Sequence, residues 1–298
     1  MHTTIISATD LQGLIRSGTP LMVMDCSFDL MDPSQGRRQY ASAHIPGAVY
    51  IHLDEHLSDK HGATPASGGR HPLPSRETFA ERLNALGFSS GMQAVVMDRQ
   101  GVNYCGRLWW MLKWCGHEAV AVLDGGLAAW QAAGGDVVSG PAPQPVPGQD
   151  FRLQPALART VDTPTLAQHL GQPGQTVLDA RAAARFRGEV EPLDLVAGHM
   201  PGALNRPFVD NIGPDGRFKP ADQLRAEFQA LLGARDPASV VHHCGSGVSA
   251  IPNLLGMELA GLGRTTLYPG SWSEWCNTPG MACARSQEVS AVADKQTS

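Results

Sequence analysis

The run Val240-Val241-His242-His243-Cys244-Gly245-Ser246-Gly247-Val248-Ser249-Ala250 places a cysteine between an apolar segment and a helical stretch through Leu254, Leu255 and Leu259. This predicts a buried strand, a tight glycine-containing loop and a helix, with Cys244 at the strand's carboxyl end. In parallel α/β sheets that end is where ligands bind, and a following helix N-terminus turns unpaired backbone N–H groups toward the loop. Such donors favour an anion, first a thiolate nucleophile and then a persulfide formed on it. Glycines at 245 and 247 let the backbone curl closely around the sulfur. Gly245, Gly247, Val248 and Ser249 are therefore the loop's candidate substrate-binding positions. A cysteine buried only for packing would explain neither the glycines nor the helix start.

The elements that must position this loop occur twice. Ser7-Ala8-Thr9-Asp10 reads as a helix-capping start, its helix stops at Gly18, and Leu21-Met22-Val23-Met24-Asp25 reads as a buried strand. Asp162-Thr163-Pro164 opens a second such helix that stops by Gly171, and Thr176-Val177-Leu178-Asp179 is its strand. His44-Ile45-Pro46-Gly47-Ala48 is matched by His199-Met200-Pro201-Gly202-Ala203 at nearly the same offset as the strand-end aspartates. Ala94-Val95-Val96-Met97-Asp98 then pairs with Ser239-Val240-Val241-His242-His243. This internal duplication, with strands alternating with helices, predicts two α/β domains, each a parallel sheet flanked by helices. The expected bounds are 1–138, a proline-rich linker over 139–158, 159–285, and a small polar tail over 286–298.

Composition limits what these domains could serve. Of 298 residues, 42% are apolar and 17% charged, the balance of a globular chain, and a length of this kind suits two ordinary domains. A formal charge of -5 without basic runs gives no footprint for nucleic acid or an anionic membrane, so small molecules or proteins are the expected partners. No eighteen apolar residues run together, and six cysteines occur without CxxC pairs, which suits a soluble protein of a reducing compartment, the cytoplasm by default.

Taken with Leu123-Asp124-Gly125-Gly126 and Tyr268-Pro269-Gly270-Ser271-Trp272-Ser273-Glu274-Trp275, the paired HxPGA motifs and the Cys244 loop have a known counterpart. Over nearly its whole length the chain resembles the tandem-domain rhodanese superfamily, and within it the 3-mercaptopyruvate sulfurtransferases. The resemblance implies a catalytic C-terminal domain and an N-terminal domain that has lost its cysteine, here at Asp98 or Arg99. It implies transfer of a sulfane sulfur through a Cys244 persulfide to a thiophilic acceptor, which could be cyanide, a small thiol or thioredoxin, with no cofactor. Thiosulfate users of the family carry basic residues in the active loop, whereas mercaptopyruvate users carry Cys-Gly-Ser-Gly-Val, as here. The physical logic is that thiosulfate is a small dianion, while mercaptopyruvate leaves as an enolate that needs a proton. Ser246, His71 and Asp54 match the family's serine-protease-like relay, and Arg185 matches a carboxylate contact. The family's second arginine is missing: Glu191-Pro192-Leu193-Asp194 stands in its place, with Arg187 as a candidate substitute. That departure leaves thiosulfate open as the alternative donor.

Other conspicuous residues read as scaffold. His44 and His199 are expected as buried rings bonded to backbone, and Asp25 and Asp179 as partners of nearby N–H groups or of Arg181. His242 and His243 are adjacent on a strand and face opposite ways, so no metal site is expected. The tryptophans, and the cysteines other than Cys244, read as packing. A cysteine phosphatase is excluded because the position six after the cysteine is Ala250 where a phosphate fork needs arginine. A non-catalytic rhodanese-type binding module is the other alternative; intact Cys244 counts against it, while a persulfide relay to a protein thiol stays open.

Overall fold

Ser7 accepts a hydrogen bond from the Asp10 N–H at 3.1 Å and so starts helix α1 (Ala8–Arg16) directly after strand β1 (Ile5–Ile6). This computed structural model describes residues 1–141, 144, 146–148 and 150–285. The first half continues through β2 (Leu21–Asp25), α2 (Gln35–Ser42), β3 (Val49–Tyr50), α3 (Leu53–His56) and α4 (Arg76–Ala85). It closes with β4 (Gln93–Met97), α5 (Cys105–Trp114), β5 (Val120–Leu123) and α6 (Gly126–Ala132). The second half begins with β6 (Arg159–Thr160), α7 (Thr163–Gln168), β7 (Thr176–Asp179), α8 (Ala183–Arg187) and β8 (Leu204–Asn205). There follow α9 (Ala221–Leu232), β9 (Val240–His243), α10 (Ile251–Leu259), β10 (Thr266–Leu267) and α11 (Ser271–Trp275).

Each half is a five-stranded parallel sheet, in the orders β1-β5-β4-β2-β3 and β6-β10-β9-β7-β8. The two orders are the same order, as the internal duplication requires. Strands buried on both faces need helices on both faces, and the short crossovers supply them. Of the expected linker, residues 142, 143, 145 and 149 lie outside the described residues, as does the expected tail over 286–298.

The scaffold residues take the places expected of them. His44 Nδ1 lies 2.8 Å from the Tyr40 carbonyl and His199 Nδ1 2.7 Å from that of Phe186, each ring stacked on the aromatic side chain of its partner. Asp25 accepts from Arg99, and Asp179 from Arg181. Trp109, Trp110, Trp272 and Trp275 are fully buried. The cysteines divide: Cys26, Cys105 and Cys115 are packed inside, but Cys276 is only partly covered and Cys283 is exposed, because they sit beyond the last helix at the domain's edge.

One apolar core runs through both halves, joining Met24, Trp110 and Met111 to Leu178, Leu255 and Cys244. Its seam is α5 against α10, so close that a Cβ on Gly106 would lie 3.2 Å from the Ile251 side chain. Both helices follow the loop at the end of a central strand. The register aligns Asp25 with Met97 and Asp179 with His243, so the next residues, Asp98 and Cys244, are equivalent. The seam therefore brings the two strand-end loops to the same interface.

In the first half that loop is filled by its own side chain. Asp98 Oδ1 accepts from the N–H groups of Gln100 and Val102 at 2.9 and 3.0 Å, and Oδ2 from those of Tyr104 and Cys105 at 2.7 and 2.8 Å. Asp98 is 5% exposed, so removing it strands these donors away from water. Asp98→Ala is expected to cost about 2–5 kcal/mol in urea denaturation. A loss below about 0.5 kcal/mol, the ordinary surface value, would show that the cradle does not need its anion.

Candidate active site

Cys244 follows β9 directly and is 1% exposed. Its loop is held from outside by its carbonyls. Trp272 N–H donates to the Cys244 carbonyl and Ser273 N–H to that of Gly245, both at 2.9 Å, and the Ser271 hydroxyl accepts from the Cys244 N–H at 3.1 Å. The Gly247 carbonyl accepts from Arg107 at 2.9 Å. Gly247 has φ +72°, and a Cβ there would lie 2.2 Å from the Pro269 carbonyl oxygen, so the turn admits only glycine. Among the described residues, none accepts from the N–H groups of Gly245, Ser246, Gly247, Val248 or Ser249. With its carbonyls tied down elsewhere, the loop leaves these N–H groups unused next to Cys244, at the place where the equivalent loop holds Asp98.

One expectation needs correcting. Helix α10 begins only at Ile251, with Pro252 in its first turn, so the unused N–H groups that follow Cys244 belong to the loop itself and not to the helix's first residues. The anion-binding logic survives, because a curled loop directs successive N–H groups inward as a helix start does.

Ser246, His71 and Asp54 meet across the domain interface. Ser246 Oγ lies 2.7 Å from His71 Nδ1, and His71 Nε2 lies 3.5 Å from Asp54 Oδ1, which is itself 2.7 Å from Lys60 Nζ. The Lys60 contact is an ion pair; at 3.5 Å the His71–Asp54 approach makes no hydrogen bond, and Nε2 has no other partner among the described residues. His71 is 2% exposed, and burial, helped by the charges of Lys60, Arg107 and Arg70, drives its pKa down to about 3. The ring is therefore neutral at physiological pH and carries one proton, where an unperturbed histidine would titrate near 6.5.

Two arginines were not singled out from the sequence. Arg107 of α5 is completely buried and donates to the carbonyls of Gly247, Leu57 and His71, tying the active loop to the N-terminal domain. Burial lowers its pKa to about 10 against the pull of Cys244, so it remains a cation at neutral pH. Its signal in the sequence is a charge within the otherwise apolar Cys105-Gly106-Arg107-Leu108-Trp109-Trp110. Arg70, next to His71, is bound through its N–H to Ser273 Oγ at 3.0 Å and through Nη1 to Asp194 Oδ1 at 2.5 Å.

Arg185 stands beside it. Its Nη2 donates to Glu191 Oε1 at 2.6 Å and approaches Asp194 Oδ2 at 3.4 Å. A Cβ on Gly245 would lie 3.1 Å from Arg70 Nη2 and 3.6 Å from Arg185 Nη1, so both guanidiniums reach the active loop. Arg187 is not in this group: it pairs with Glu189 at the surface, because α8 turns it to the opposite side from Arg185. Arg70 and Arg185 are 24% and 18% exposed. Val248 and Ser249 continue the loop behind the sulfur, Val248 fully covered and Ser249 partly.

Comparison with known proteins agrees with this arrangement. The sequence model of the rhodanese-like domain matches residues 7–133 and again 162–278. A probable 3-mercaptopyruvate sulfurtransferase of Pseudomonas aeruginosa is 48% identical over 262 residues, 87% of this chain and 90% of that protein. A putative thiosulfate sulfurtransferase, SseB of Mycobacterium tuberculosis, is 39% identical over 276 residues, 92% of this chain and 94% of the other. Among solved structures, the 3-mercaptopyruvate sulfurtransferase from Leishmania major superposes with a TM-score of 0.78 at 29% identity, covering 94% of this chain and 76% of that one.

The buried histidines make stability depend on pH in a stated direction. His71 and His242 both have pKa values lowered to about 3 by burial, so the folded state refuses a proton that the unfolded chain accepts near 6.5. Stability is expected to be full above pH 6.5 and to fall by about 2 kcal/mol per group by pH 5. Urea denaturation across that window checks it, and His71→Gln should reduce the slope. A stability that stays flat from pH 7 to 5 would contradict the neutral assignment.

Proposed function

The chain belongs to the rhodanese family, and from that premise we propose that it is a sulfurtransferase that takes a sulfane sulfur from 3-mercaptopyruvate. The observation that carries this reading is a hydroxyl two residues after Cys244 that is hydrogen-bonded to a buried, neutral histidine of the other domain. A donor that leaves as a carbanion needs a proton delivered there; one that leaves as sulfite does not.

The Cys244 thiolate attacks the sulfur of mercaptopyruvate, forming the S–S bond as the C–S bond breaks and the electron pair passes to the pyruvate enolate. Ser246 Oγ–H supplies the proton that turns the enolate into pyruvate. The Ser246 alkoxide, held by His71 Nδ1–H, takes back the proton that the transferred sulfur brings as S–H, leaving an ionised persulfide, so the ring remains neutral throughout. With a pKa near 3 it could not act as a standing imidazolium at neutral pH. The persulfide is then held by the loop N–H groups of Gly245 to Ser249 and by the buried charge of Arg107. Arg185 binds the substrate carboxylate. The acceptor is a thiophile able to enter the groove: cyanide, a small thiol or thioredoxin. Cytoplasmic reducing conditions would keep such thiols competent.

Thiosulfate transfer is a second reading, favoured by the two guanidiniums beside Gly245 and open to a small dianion. The same two groups are, however, already paired with Glu191 and Asp194.

With cyanide as acceptor, Cys244→Ser is expected to abolish turnover of either donor; residual transfer would remove the persulfide step. Ser246→Ala should slow mercaptopyruvate turnover roughly a hundredfold, the usual size of a general-acid contribution, and thiosulfate turnover far less. Equal losses on both donors would dismiss the relay.

A further inference from the structure

The family's second arginine is absent at Glu191–Asp194, yet a second guanidinium is present at the active loop. It comes from the other domain. We propose that Arg70 is the second carboxylate-binding residue of the site, and that Glu191 and Asp194 balance its charge and that of Arg185 so that the site selects a monocarboxylate over a dianion. This rests on the mercaptopyruvate reading above.

Three observations converge on it. Arg70 Nη2 and Arg185 Nη1 both approach the bare side of Gly245, where no side chain intervenes, and among the described residues neither atom has a partner. The Nε of Arg70 is buried and also lacks one. The acids meanwhile fix the remaining nitrogens: Asp194, 2% exposed, bridges Arg70 Nη1 and Arg185 Nη2, and Glu191, 3% exposed, holds Arg185 and reaches Arg181 at 3.3 Å. Both guanidiniums are therefore set in place from behind, with their unused N–H groups toward the substrate path.

The charge balance follows from the same contacts. Arg70, Arg181 and Arg185 face Asp179, Glu191 and Asp194, three cations against three carboxylates. A site of that kind offers forked hydrogen bonds to a carboxylate without a large net positive field. A dianion gains less from it, because the fixed acids close behind the arginines offset the attraction. The acids standing where the family places arginine thus become the reason that an arginine from the other domain can serve.

Steady-state kinetics of the full chain with mercaptopyruvate and with thiosulfate, cyanide as acceptor, test this. Arg70→Ala is expected to raise the mercaptopyruvate KM about ten- to a hundredfold with kcat within about threefold, and Arg70→Lys to recover part of it. Asp194→Asn, which leaves one positive charge unbalanced, should shift the ratio of kcat/KM for the two donors toward thiosulfate by about tenfold. An unchanged KM in Arg70→Ala overturns the inference. So does a fall in kcat at constant KM, the mark of disturbed domain docking, or a donor ratio that Asp194→Asn leaves alone. Failure of the underlying reading looks different: the unsubstituted enzyme would draw sulfur from thiosulfate and not from mercaptopyruvate.

Discussion

A negative charge buried at the end of a central strand has to be met by hydrogen-bond donors, and this protein has a backbone loop at that place in each of its two domains. In the N-terminal domain the charge is permanent, the carboxylate of Asp98, and four N–H groups close on it. At the equivalent place in the C-terminal domain stands Cys244, whose loop turns its carbonyls to Trp272, Ser273 and Arg107. The duplicated fold thus contains its own control. One copy shows what the cradle holds when the anion is built in, and in the other the position is taken by Cys244. Burial makes such a site effective, because dipoles aimed at a charge are worth more away from water.

The same seam explains why one domain alone would not do. Helices α5 and α10 pack against each other across it, and this contact carries Arg107 under the active loop and His71 to Ser246. Arg70 arrives on the same stretch of chain as His71, held by Ser273 of the C-terminal domain. His71 and Asp54 of the proposed relay, the buried Arg107 and the proposed carboxylate contact Arg70 all come from the copy with Asp98 in the cysteine's place. Its remaining work is to complete the other copy's site.

Much of this was legible in the sequence. Two capped helices, two strands ending in aspartate and two HxPGA motifs fix a repeated α/β order, because each is a local signal read within a few residues. The Cys244 loop was legible for the same reason. What escaped were contacts between distant segments: Arg70 to Asp194 spans 124 positions and Arg107 to Gly247 spans 140. No periodicity records such a pairing. Arg107 left a trace as a charge inside an apolar helix, and Glu191 with Asp194 left one as acids where an arginine was due. In the sequence that departure leaves the sulfur donor open; the structure makes the acids partners of Arg70 and Arg185. His71 gave the converse lesson, since its residue type suggests a titrating group and only its burial shows a neutral one.

The central claim is that Cys244 is the atom that carries the sulfur, taken from mercaptopyruvate. It is tested most directly by treating the protein with that donor in the absence of any acceptor, then measuring intact mass, the modified peptide and the pyruvate released. The account predicts a gain of one sulfur atom, located on the peptide containing Cys244, with one pyruvate formed per sulfur retained. Pyruvate without added mass, or added sulfur on Cys276 or Cys283 in its place, would contradict it.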